Sequence, residues 1–153
     1  MQDVQSVNRH SSKIGGTMLF RPNSTYISSR LVANALEHFW DYAYLGNHPL
    51  AQLACVENAL ASSSRATHLE RGHALHYMLR RAIDATQVSC SRRLNSNEQL
   101  YYPILYNTYI EQLDNRLVAK AVCLSERSLY RYLTKALLVV TQLLDDWESA
   151  AQE

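Results

Sequence analysis

The sequence predicts an all-α protein: a compact multi-helix domain ending in a helix-turn-helix, with a flexible N-terminal arm. Three observations predict it. Helix breakers are scarce, with 4 Gly and 3 Pro in 153 residues. Apolar residues recur at three- and four-residue spacing along most of the chain, the period of a helix buried on one face. Ser, Thr or Asp stands at the start of several periodic stretches, where its side chain can accept the first free N–H groups. A chain of this length removes roughly 70% of its unfolded surface from water on folding, enough for a core without staples. The composition, 47% hydrophobic and 19% charged, is that of a globular domain.

Residues 1–25 lack periodicity and hold Ser11-Ser12, Gly15-Gly16 and Pro22. With Arg9, Lys13 and Arg21 against Asp3, they predict a flexible basic arm, either a leader without a role or one that binds a DNA backbone or a partner. Ser28 or Ser29 opens the first helix, whose stripe of Leu31, Val32, Ala35, Leu36 and Phe39 predicts a run to about Ala43. Gly46-Asn47 stops it. Pro49 suits the first position of a second helix, because its missing N–H is not needed there. That helix is expected to reach about Leu60, followed by a polar joint at Ala61–Ser64. Thr67 and Glu70 have the spacing of a capping box and open a third helix. Residues 87–97 break the pattern and predict the longest internal loop. A fourth helix begins between Asn97 and Pro103 and ends near Gln112, with Ile104, Leu105, Tyr109 and Ile110 inward. The tyrosines Tyr101, Tyr102, Tyr106 and Tyr109 are read as packing rather than as a stacking platform for single-stranded bases. Two closing helices, Asp114–Val122 and Ser125–Trp147, place the domain at 26–147, the helix-turn-helix at 114–147 and an acidic tail at 148–153.

The net charge of +1 does not announce a nucleic-acid binder, so the case rests on distribution. Between residues 114 and 135, Arg116, Lys120, Arg127, Arg131 and Lys135 face only Asp114 and Glu126. In a helix-turn-helix the second helix enters the major groove and its first turns reach base edges. Ser125 is the expected N-cap, and Glu126, Arg127 and Ser128 stand at that end. Arg127 and Arg131, one turn apart, suit bidentate contacts to guanine, and Glu126 suits cytosine N4. Lys120, Tyr130 and Lys135 suit phosphates. Leu129, Leu133 and Ala136 are expected to pack on Leu117, Val118 and Ala121. The competing reading is an ordinary αα-hairpin with solvated arginines.

The run LDNRLVAKAVCLSERSLYRYLTKAL resembles the promoter-reading region four of bacterial sigma factors. It resembles more closely a sigma-like domain of bacterial regulatory and signalling proteins. Val118-Ala119 match the apolar-Ala pair of the first motif helix, Leu124-Ser125 the turn and cap, and Ala136-Leu137 the pair late in the second helix. Tyr102, Ile104-Leu105 and Tyr109-Ile110-Glu111 match the preceding helix, and Ala35–Leu53 the leading segment, so the likeness spans about 35–147. The resemblance implies double-stranded DNA binding, as a transcriptional regulator or an accessory subunit of a DNA-acting assembly. It implies a bacterial protein, though the chain is expected to be too short for a complete sigma factor. Cys123 stands where such motifs carry a glycine for the left-handed backbone, so the turn is expected to be strained or differently shaped.

The alternative function is a helical protein-interaction adaptor without DNA readout. The last helix is apolar around most of its circumference, with one seam through Leu129, Leu133, Ala136, Val140, Leu143 and Trp147. Leu137, Val140, Leu144 and Trp147 are therefore the expected interface with a second copy or a partner. No cofactor or metal is expected: His68, His73 and His76 share a helix, but Cys55 and Cys90 stand at no recognised ligand spacing. No catalytic motif is present and Cys123 reads as a buried turn residue, so an enzyme is not expected. An odd three cysteines without CxxC predict a reduced, cytoplasmic setting. No apolar run nears the roughly 18 residues of a membrane span.

Overall fold

The longest helix is the axis of the fold. The computed structural model describes residues 27–60, 66–91 and 96–153. The expected arm at 1–25, the polar joint at 61–64 and the part of the expected loop at 92–95 lie outside the described residues. Seven α-helices and no strand occur among the described residues: α1 (Ser29–Glu37), α2 (Tyr42–Gly46), α3 (Ala54–Ala59), α4 (His68–Ser91), α5 (Tyr101–Leu105), α6 (Asn115–Ala121) and α7 (Glu126–Ala151). Short 3-10 turns at Pro49–Gln52 and Ser96–Leu100 and a π turn at Tyr106–Ile110 link them.

The 26 residues of α7 span about 39 Å at 1.5 Å per residue. One apolar cluster gathers α1 to α5 around Ala136, Val140 and Leu144 of α7. A smaller one joins Ile104 of α5, Val118 and Ala119 of α6 and Leu129 of α7. Tyr132 and Leu133 touch both. The chain's own helices therefore cover most of the apolar circumference of α7 and leave Leu138 exposed. Of the expected partner interface, Val140 and Leu144 are fully buried in the core, and Leu137 and Trp147 pack partly buried against it. Arg81 stacks over the Trp147 ring at 4.8 Å. Leu144, not Leu143, continues the buried row.

Local signals fixed most helix starts. Ser28 accepts the Leu31 N–H at 3.2 Å. Thr67 and Glu70 form the reciprocal capping box, at 3.2 Å and 2.8 Å. Pro49 stands at the start of its turn, although that turn is 3-10 and Leu53 goes extended before α3 begins. The expected first helix is shorter than its periodicity suggests. It ends at Glu37, and Asp41 caps a new helix by accepting the Tyr44 N–H at 3.0 Å. The bend sinks Phe39 into the core and lets Trp40 Nε1 donate to the Ile110 carbonyl at 3.0 Å. α4, conversely, runs on to Ser91 through residues expected to be loop. Tyr101 and Tyr109 are buried, and Tyr102 and Tyr106 pack against the core, as expected of packing tyrosines.

α2 crosses α4 at backbone contact. A Cβ on Gly72 would overlap the Tyr42 carbonyl, lying 2.8 Å from its carbon and 3.1 Å from the Gly46 nitrogen. One on Gly46 would lie 2.7 Å from the His68 carbonyl carbon. Glycine is needed at both positions because no side chain fits between the two backbones. An Arg71–Glu57 ion pair ties α4 to α3 beside this crossing.

Residues 148–153 do not form a separate acidic tail, because α7 continues through Ala151 and Glu148 is buried. No side chain of its own segment caps α3. Glu148 caps it from across the fold, accepting the Ala54 and Cys55 N–H groups at 3.0 Å and 2.9 Å. Burial pushes the Glu148 carboxyl up, but these bonds and the Gln152 amide outweigh it and hold it below the usual carboxylate value. His48 Nδ1 likewise accepts the Leu50 N–H at 3.1 Å, while Nε2 donates to Asn34 Oδ1. Burial pushes His48 and His76 below 6.5. All three groups bind protons less readily folded than unfolded, so each stabilises above its unfolded value and loses that contribution as pH falls through its lowered folded value. Acid unfolding is therefore expected in two stages, one beginning below about 6.5 from the histidines and one below about 4.5 from Glu148. Urea midpoints measured against pH check this; Glu148→Gln should shrink the lower stage and leave the upper one, the remainder coming from Glu70, whose carboxyl the Thr67 N–H also holds low.

Candidate nucleic-acid interface

The helix pair α6–α7 is built from two side-chain caps and one backbone cap. The Asp114 carboxylate accepts the Leu117 N–H at 3.0 Å and starts α6. Ser125 Oγ accepts the Ser128 N–H at 3.1 Å and starts α7. Between them the Leu124 N–H donates to Ala119 at 2.8 Å and the Cys123 N–H to Lys120 at 3.2 Å, the bond pair of a Schellman turn. Cys123 supplies the left-handed backbone with φ 59°. The turn thus has the shape a glycine usually makes, and the strain falls on a residue with a Cβ. Cys123 is exposed, not buried as expected, because the left-handed residue points away from the packed helices. Cys123→Gly is expected to stabilise the protein by about 1 kcal/mol and raise Tm by roughly 2–4 °C, read by thermal unfolding.

The phase of α6 differs from the expected one. Val118 and Ala119 point in, while Leu117 is 50% exposed and Ala121 is also exposed. The cap at Asp114 sets this phase, and Ile104 beneath the pair selects the small Ala119 as its neighbour. On α7 the rows separate cleanly. Leu129, Ala136, Val140 and Leu144 are buried. Arg127, Tyr130, Arg131, Thr134, Lys135 and Leu138 are all exposed, at the spacing of a single helical stripe on the other side.

Of the eight residues expected to meet DNA, Lys120, Ser125, Glu126, Arg127, Tyr130, Arg131 and Lys135 are exposed and Ser128 is half-buried. The structure brings Arg127, Tyr130, Arg131 and Lys135 onto the one stripe. Ser125 is engaged as the cap, and Lys120 sits on α6. Among the described residues no carboxylate pairs with Lys120, Arg127, Arg131 or Lys135. Lys135 Nζ lies 5.9 Å over the Tyr132 ring. Sequence reasoning missed Asn115, whose amide donates to the Tyr130 hydroxyl at 2.8 Å and ties the start of α6 to the stripe. The two residues are too far apart in sequence for any periodic signal to pair them.

The other candidate chemistries disperse. His76 Nδ1 is engaged with the Phe39 carbonyl at 2.9 Å, and the His73 ring packs on Tyr42 at 4.0 Å. Among the described residues no group of three His, Cys, Asp or Glu gathers to hold a metal. Burial, then the Glu148 carboxylate, pushes the Cys55 thiol up to about 12, so it stays protonated and unreactive at neutral pH. No helix among the described residues is long and apolar enough to cross a membrane. The chain matches no family model and has no significant match among curated proteins or solved structures.

Proposed function

We propose that the chain binds double-stranded DNA through α6 and α7, as a transcriptional regulator or an accessory subunit of a DNA-acting assembly. The observation that carries this reading is the α7 stripe. Arg127 and Arg131 stand exposed and without carboxylate partners on the first turns of a Ser-capped helix. A rigid apolar back through Leu129 holds that helix against α6.

In this reading α7 enters the major groove, with Arg127 and Arg131 forking onto guanine and Glu126 accepting from a cytosine amine. Lys120, Lys135 and Tyr130 hold phosphates on either side. The Tyr130 hydroxyl accepts from Asn115 and keeps its own proton to donate to a phosphate oxygen. The same helix pair in a pure adaptor leaves the arginines without a task.

Selection of bound fragments from random duplex DNA, followed by anisotropy titrations, tests the proposal. The selected duplex is expected to bind with a slope of log K against log salt of roughly −2 to −4, for two to four neutralised phosphates. Absence of binding to any duplex at low salt overturns it.

A further inference from the structure

The outer face of α4 presents an aromatic ring to solvent between two hollows. Tyr77 is 56% exposed and lines both of them. One hollow, of about 370 Å³, has Ala59 at the end of α3 on one wall and Glu70 and His73 of α4 on the other. The second, of about 400 Å³, runs on to Arg81 of α4 and to Trp147 and Ala150 near the end of α7. Together they make one groove along α4. Ala59, Glu70, His73, Tyr77, Arg81 and Ala150 are all exposed, so a partner can touch each of them.

The groove has a charge of opposite sign at each end, and neither charge is answered within the chain. Arg81, stacked on Trp147, also lies 5.9 Å over the Tyr77 ring. The rings hold the guanidinium in place while its forked N–H groups stay able to meet a carboxylate. Among the described residues no carboxylate pairs with Arg81 and no cation pairs with Glu70. Glu70 Oε2 accepts the Thr67 N–H, which leaves Oε1 for another donor.

The order of these side chains selects the occupant. Glu70, His73, Tyr77 and Arg81 follow one another on α4 at spacings of three and four, on one stripe about 16 Å long. Glu70 precedes His73 by one turn and Arg81 follows Tyr77 by one turn. The stripe is therefore complementary to itself when reversed. An antiparallel second α4, related by a two-fold axis between His73 and Tyr77, sets each Glu70 opposite the other Arg81. The same axis brings each Tyr77 level with the other His73, at the first hollow. Such an isologous contact repeats every pairing twice. We propose that two copies of the chain dimerise through this face of α4. Each Tyr77 seats beside the other copy's His73, and each Glu70 pairs with the other copy's Arg81. The two rings supply most of the attraction, and the exposed ion pairs, weak in themselves, fix the register. Arg127 lies about 30 Å along α7 from Trp147, so the reading stripe stays clear of the contact.

Sedimentation velocity of the full chain without DNA, from micromolar to millimolar concentration, tests the proposal. A reversible monomer–dimer equilibrium is expected, weak because one helix face is a small interface. Tyr77→Ala, at an exposed position, should weaken it at least about tenfold. Glu70→Lys and Arg81→Glu should each weaken it about tenfold, since each reverses both ion pairs of the dimer. An equimolar mixture of those two variants should recover parental affinity, because in the mixed dimer both pairs are again of opposite sign. A chain that stays monomeric throughout, or a dimer that Tyr77→Ala leaves unchanged, overturns the proposal. So does a mixture no tighter than its components. If Glu70→Lys loses its helical circular dichroism through the capping box, Tyr77→Ala and Arg81→Glu decide between them. The measurement contains no duplex, so its outcome is independent of how the helix pair reads DNA.

Discussion

Gly72→Ala is expected to destabilise the protein by roughly 3–5 kcal/mol, although helix propensity alone favours alanine. Two effects of opposite sign compete at this position. Gly72 lies inside α4, and an alanine in a helix interior is about 1 kcal/mol better than glycine. Against that, the added Cβ overlaps the Tyr42 carbonyl and stands 3.1 Å from the Gly46 nitrogen. The obstructing atoms are backbone, not the end of a flexible side chain, so relief requires α2 to move off α4. That motion drags on Leu45 and the Phe39 bend, both fully buried. Overpacking a tight site typically costs about 1–3 kcal/mol and costs more where nothing can give way, so the clash wins. Urea unfolding followed by circular dichroism measures the difference. A variant as stable as the parent, or more stable, removes the close crossing of α2 and α4.

Arg127→Ala combined with Arg131→Ala is expected to lower affinity for the selected duplex by roughly 2–6 kcal/mol, about 1–3 for each lost guanine contact. Both side chains are exposed on α7, away from the buried row, so stability should stay within about 0.5 kcal/mol. The double variant should keep weak binding that does not distinguish sequences, because Lys120, Lys135 and Tyr130 remain for phosphates. Lys135→Ala should instead weaken all sequences alike and reduce the salt slope by about one. Anisotropy titrations on selected and scrambled duplexes separate the two patterns. Unchanged preference in the double arginine variant removes α7 as the reading helix.

Much of this architecture was legible because it is written locally. Ser28, Thr67 with Glu70, Asp114 and Ser125 each cap the helix they were expected to cap, since a cap needs only its own residue and the next three. The stripe of Arg127, Tyr130, Arg131 and Lys135 was legible for the same reason, helical spacing. The positive φ at Cys123 shows the limit of reading by residue type: the turn kept its shape although its glycine was absent. The bend at His38 was not legible, because the apolar pattern continues through it. Phe39 and Trp40 fit the periodicity of a longer helix, yet burial of the first and the bond of the second to Ile110 reward a break.

The helical class, most helix starts and the exposed basic stripe of α7 can thus be read from the chain alone. All of these depend on residues within about one turn of each other. Contacts between residues far apart in the chain had to come from the fold. Glu148 caps α3 from 94 residues away. Gly46 and Gly72 let two backbones touch. Val140 and Leu144, which the pattern offered to a partner, are enclosed by helices of the same chain. A helix that is apolar around most of its circumference declares that it must be covered, but the periodicity is the same whether its own fold or another molecule covers it.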